Sequence, residues 1–149
     1  MNDDSYNISE AGNDSYEFIS IGKKELLKRV IFSKMDYPDN TYNLALATVV
    51  NKNSLDFEDK SNNGDIVKVF STIIVCVSIY TDKYPDRIIF FKGNTNQKTK
   101  IYNEILKKHF KEFSKIFNIF GMIIDDDEQS VAEEFKLSKN YSGFFIKKK

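Results

Sequence analysis

Between Ile66 and Tyr80 the chain carries one charged residue, Lys68, while Ile66, Val69, Phe70, Ile73, Ile74, Val77 and Tyr80 recur at spacings of three and four. That spacing predicts an α-helix, because side chains three and four apart share one helix face. Val67, Val75 and Cys76 lie off the stripe, so the helix is expected to be covered on more than one side and to form the centre of the core. Asn62-Asn63-Gly64-Asp65 offers an N-cap before it. Tyr84-Pro85-Asp86 closes it, since a proline disfavours helical backbone at the residue before it. Everything else in the chain has to be arranged around this element.

The segments before the helix have a different period. Tyr16-Glu17-Phe18-Ile19-Ser20 is rich in β-formers and ends at a Gly22-Lys23-Lys24 turn. From Leu26 to Met35, Val30 and Phe32 face one side and Arg29, Ile31 and Ser33 the other. After the Tyr37-Pro38-Asp39-Asn40 turn, residues 42–50 read as a third strand, and Leu55 and Phe57 as a short edge strand or packed loop. Beyond the helix, Arg87–Phe91 predicts a buried strand. Asn94 or Thr95 can cap a second helix reaching Phe113, with Ile101, Ile105, Leu106, His109, Phe110 and Phe113 inward. Residues 116–124 predict a strand and Asp125-Asp126-Asp127-Glu128 an acidic turn; residues 129–138 are ambiguous, and residues 141–146 form a terminal strand. Residues 1–15, with Asp3, Asp4, Glu10 and Asp14 among small polar residues, read as a loose acidic tail ahead of a single domain over 16–149. The expected architecture is α+β in two layers, a mainly antiparallel or mixed sheet packed by two principal helices in the order β-β-β-(β)-α-β-α-β-β.

Inventory excludes several classes of function. A chain of 149 residues with 41% hydrophobic residues, thirteen Phe and eight Tyr can build a core without disulfides or metal. Cys76 is the only cysteine and His109 the only histidine, which removes multi-thiolate metal sites and cysteine–histidine catalysis. No catalytic residues, metal ligands or cofactor are therefore assigned, and a non-enzymatic role is favoured. The 22 basic and 22 acidic side chains cancel, so attraction to nucleic acid or anionic lipid requires a local patch. Absence of a secretion signal and of a membrane-length apolar run, with one cysteine, leads to the expectation of a cytoplasmic protein that does not engage a membrane.

One patch meets the physical requirement for holding an anion. Gly93, Thr95, Lys98, Lys100 and Tyr102 fall together in the turn and first helical turns after the buried strand, where free amides and lysines attract phosphate. The ordinary explanation is a capped turn, since the pattern is not a phosphate-binding P-loop. Lys107, Lys108, Lys111 and Lys115 extend a basic stripe along the helix, opposed by Glu104 and Glu112. Such a stripe follows a nucleic-acid backbone or is the solvated face of an amphipathic helix. His109 reads as a core or edge histidine, Cys76 as an inert buried thiol, and Asp125–Glu128 as a solvated turn.

The ordered landmarks Tyr16-Glu17-Phe18, Tyr42-Asn43-Leu44-Ala45, Asn63-Gly64-Asp65, Tyr84-Pro85-Asp86, Gly93-Asn94-Thr95, Ile101-Tyr102 and Phe117-Asn118-Ile119-Phe120-Gly121 resemble the bacterial domain of unknown function 6934 over residues 16–148. The resemblance implies a compact intracellular bacterial domain and brings no activity with it. Where that family carries arginines after the Gly-x-Thr turn, this chain has Lys98 and Lys100, which weakens any argument from bidentate contacts. Two functional readings follow. The first is a binding module for another protein, part of a two-gene system, docking at an open strand edge such as residues 141–146. The alternative is a binder of, or enzyme on, phosphate-bearing or nucleic-acid ligands at Gly93–Lys100.

Overall fold

The structure is a computed structural model that describes residues 4–57 and 63–149. Asn62, part of the expected cap, and the rest of the polar stretch 58–62 lie outside the described residues. The elements run β1 (Ser9–Glu10), β2 (Ser15–Ile21), β3 (Glu25–Lys34), β4 (Thr41–Asn51), β5 (Ser54–Asp56), α1 (Ile66–Lys83), β6 (Ile88–Phe91), α2 (Asn96–Lys108), α3 (Phe110–Phe113), β7 (Phe117–Ile124), β8 (Ser130–Glu134) and β9 (Gly143–Lys148). The expected α+β class and element order are observed. The strands form one sheet in the order β1-β2-β3-β4-β6-β9-β7-β8, with β5 against β4. Among the described residues only β4 and β6 pair in parallel, because they are joined by the long crossover through α1.

The principal helices, α1 and α2, lie on one face of the sheet. Phe32 of β3 stacks on Tyr80 of α1 with centroids 3.9 Å apart, and Phe70 of α1 meets both Phe91 of β6 and Tyr102 of α2. Register places Val30 opposite Leu46 and Ile89 opposite Ile146, so a continuous inward-facing layer runs across the middle of the sheet. The breadth of the apolar surface on α1 has a clear cause. The helix rests on the sheet, α2 lies along one flank, and the N-terminal segment lies along the other, where the Tyr6 amide donates to Thr72 Oγ1 at 2.8 Å. Buried hydroxyls on α1 are satisfied within the helix, Ser71 and Thr81 donating to the carbonyls of Val67 and Val77.

Several sequence expectations are altered. Residues 4–15, read as a loose tail, lie against the body of the protein: the Tyr6 ring stacks on Phe18 at 5.7 Å, Ser9–Glu10 pairs with β2, and Asp14 accepts from Tyr80. Tyr6 and Ile8 supply the apolar anchors that a count of acidic residues overlooks. Asp65 is the N-cap residue of α1 by position but makes no side-chain cap, since its carboxylate is turned to Tyr6 and Ser20. The second helix does not run unbroken to Phe113. It ends at Lys108, and after His109 a single turn carries Phe110 onto Phe135, with Phe113 in the core. The ambiguous segment contains β8, paired with β7 around a turn in which Asp125 accepts from the amides of Asp127 and Gln129.

The terminal strand is not an open edge. β9 is hydrogen-bonded to β6 on one side and β7 on the other, so it cannot accept an incoming strand. It begins at Gly143 rather than Tyr141 because Tyr141 is held elsewhere: buried Asn103 of α2 donates to its carbonyl at 2.9 Å and accepts from its amide at 2.8 Å. The Tyr141 ring packs on Gly121, where any Cβ would lie 2.2 Å from the ring. That closeness is why the strand needs a glycine there.

Candidate functional site

The parallel pair at the centre of the sheet separates soon after it starts. β4 and β6 are paired only from Thr41–Ile88 to Asn43–Phe90, and on that side β4 is next bonded at Thr48, to β5. A cleft therefore opens at the carboxyl end of the parallel pairing, a position like that at which open α/β sheets present ligand sites. One lobe, about 200 Å³, is lined by residues including Lys28, Asn43, Thr48, Lys92, Gly93, Lys98 and Tyr102. A second lobe of about 330 Å³ shares Lys28, Leu46, Lys98 and Tyr102 and reaches the first residues of both helices, Asp65–Ile66 and Thr95–Gln97. Two helix N-termini with their partial positive charge thus border the second lobe together with Lys28 and Lys98, and Lys92 lines the first.

Local sequence explains how this corner is built. Thr95 has extended backbone and its hydroxyl accepts from the Lys98 amide at 3.1 Å, a hydroxyl N-cap. The Gly93 amide donates to Thr99 Oγ1 at 3.0 Å. A Cβ at Gly93 would approach the Thr99 nitrogen to 2.6 Å, so only glycine lets the first turn of α2 pack directly on the end of β6. Tyr102 is buried against Phe70 and Phe91, and burial pushes its phenol up to about 12, so it stays protonated through the neutral range. Lys28 donates to Thr48 Oγ1 at 2.6 Å across β3 and β4. Of the carboxylates that line the cleft, Asp65 already accepts from Tyr6 and Ser20 at 2.6 Å each, and Asp56 lines the first lobe.

The five residues singled out from sequence divide. Gly93, Lys98 and Tyr102 line the cleft, and Thr95 borders its second lobe, with its hydroxyl spent on the cap. Lys100 does not line the cleft; it lines a neighbouring depression that shares Lys92, Gly93 and Thr95 and extends to Asn103, Met122 and Asn140. The basic stripe is partly engaged, since Lys107 donates to Asn140 at 2.6 Å. Lys28 was missed, although a signal existed: period two from Val30 and Phe32 puts it on the inward face of β3, an unusual position for a lysine. Away from the cleft, His109 lies 3.9 Å from Glu112 and against Phe113. Cys76 is fully buried and its thiol is pushed up to about 12 by that burial, which leaves it protonated and unreactive. Among the described residues no group of His, Cys, Asp or Glu is placed to hold a metal ion, and no helix is long and apolar enough to cross a membrane.

Residues 2–149 match the model of a family of unknown function, DUF6934. The chain belongs to that family. The match covers nearly the whole DUF6934 chain, including the N-terminal segment along α1 and the strands that bound the cleft. No curated protein and no solved structure matches it. The family carries no assigned chemistry to this DUF6934 protein, so its function has to be argued from the cleft and the surfaces themselves.

Proposed function

We propose that this DUF6934 protein is a binding module that takes a small phosphate-bearing ligand in the cleft between β4 and β6. The observation that supports the reading is that Lys28 and Lys98 line both of two adjoining lobes, the first together with Lys92 and the second together with the first residues of α1 and α2. Cationic side chains and helix-end amides give an anion both charge and directed hydrogen bonds. Tyr102 contributes a neutral hydroxyl to the same walls. Lys100 is no part of this site. The reducing setting that suits a lone buried Cys76 makes the bacterial cytoplasm the proposed location.

The test is a thermal-shift screen with inorganic phosphate, pyrophosphate, nucleotides and short oligonucleotides at low salt. A nucleotide or pyrophosphate is expected to raise the midpoint, and Lys28→Ala with Lys98→Ala to abolish the rise while Lys100→Ala leaves it intact. A rise that is equal in Lys28→Ala/Lys98→Ala, or one produced only by oligonucleotides and removed by Lys108→Ala with Lys111→Ala, would move the site to the basic stripe. A second reading, a module that docks a protein, is favoured by the sheet face opposite α1, which no helix among the described residues covers. There Phe90 and Phe145 form an aromatic pair 4.9 Å apart, on the side of the sheet opposite Ile89 and Ile146.

A further inference from the structure

The uncovered face holds a knob and a hole side by side. Register puts Ile88, Phe145, Phe120 and Lys147 on the side away from the helices, and with Pro38 and Thr41 they line a cavity of about 200 Å³ whose exposed walls are apolar. Next to it in the chain, Tyr37 is 81% exposed, the most exposed of the large apolar side chains among the described residues. Interfaces concentrate their affinity in aromatic side chains seated in such pockets. Charge is divided in the same way. Asp36 and Asp39 flank Tyr37 and are exposed, Lys147 is exposed at the cavity, and no salt bridge within the described residues engages any of the three.

A two-fold contact requires one patch to carry both halves of every interaction, since each copy presents the same surface to the other. This patch does so: an aromatic knob beside an apolar hole, and an acidic loop beside a lysine. A partner of different sequence would need only one half. From this reciprocity we propose that the uncovered face is the interface of a homodimer, Tyr37 of each copy entering the other's cavity and Asp36 and Asp39 meeting the second copy's Lys147. The proposal rests on the second reading above, that this face docks protein, and commits it to a second copy of this chain. Further burial of Ile88 and Phe145, which are only partly buried in the single chain, follows from the same contact, and the phosphate cleft on the helix face stays open in both copies.

Sedimentation equilibrium of the full chain over a range of concentrations tests it. The expected mass is twice 17.3 kDa. Tyr37→Ala removes two anchoring aromatics from the two-fold contact, one from each copy, and is expected to weaken dimerisation roughly a thousand-fold, about thirty-fold for each. Lys147→Glu is expected to weaken it as well, and adding Asp36→Lys with Asp39→Lys to Lys147→Glu to restore it. Both single changes are at exposed side chains, and circular dichroism confirms that each variant is folded. A monomer at every concentration overturns the proposal, as does a dimer indifferent to Tyr37→Ala and Lys147→Glu. A monomer that binds a different protein through this face overturns the self-association alone and leaves the docking reading standing.

Discussion

Asn103 shows what one buried amide does in this protein. Its side chain satisfies both the N–H and the C=O of Tyr141 from 38 residues away, tying α2 to the chain between β8 and β9. Asn103→Ala leaves two buried backbone groups without partners, at about 1–3 kcal/mol for each unsatisfied group. Urea unfolding should therefore show a loss of about 2–6 kcal/mol. Tyr16 is the opposite case, because its buried hydroxyl has no hydrogen-bond partner. Tyr16→Phe removes an unpaired polar atom and keeps the ring against Phe32, so stability is expected to rise by about 0.5–2 kcal/mol in the same measurement. At this scale the sequence was legible where a residue acts on its own neighbourhood. Thr95 as a cap and Gly93 as a turn need only the next few residues. The roles of Asn103 and of Arg87, whose guanidinium lies 4.1 Å from the Tyr42 ring and 3.7 Å from that of Tyr84, depend on partners the chain brings close only by folding.

Elements with a strong period were legible, and those defined by contacts were not. The three-and-four spacing of α1 and the alternation of β3 survive in the structure because each buries a face whose period the backbone imposes. β8 has a weak pattern, since as an edge strand it buries little. The break at His109 has no glycine or proline to announce it. The N-terminal segment was misjudged because its acidic residues act as acceptors for specific partners: Glu10 for Lys83 at 2.8 Å, Asp14 for Tyr80 at 2.9 Å. A tail could be removed without loss. Deleting residues 1–14 removes the Tyr6–Phe18 stack, the β1 pairing and the cover on α1, and is expected to cost about 2–4 kcal/mol by denaturant unfolding. Unchanged stability would show that this segment is not part of the packed structure.

Across the whole molecule the ionisable groups that folding perturbs most are phenols and the thiol. Tyr6, Tyr16, Tyr80, Tyr102, Tyr141 and Cys76 are all pushed upward, burial being the first cause in each. Groups that hold their protons more tightly when folded give stability that is complete below their unfolded values. That contribution is lost as pH rises through the folded ones. Stability is therefore expected to be insensitive to these groups near neutrality and to fall from about pH 9 through about pH 12, the range between ordinary and folded values. Denaturant midpoints across that range check it, and a flat profile would contradict the burial assigned to these side chains. The architecture itself, one sheet with both principal helices on one side, was predictable from element order. The cleft was not, because it depends on where β4 leaves β6, and pairing is a matter of register between strands 47 residues apart at Thr41 and Ile88. The most direct test of the cleft is a titration of the isotopically labelled chain with pyrophosphate, followed by amide resonances. Saturable shifts confined to Lys28, Thr48, Lys92–Lys98 and Tyr102 are predicted; shifts centred on Lys107–Lys115, or none at all, would contradict a phosphate site between β4 and β6.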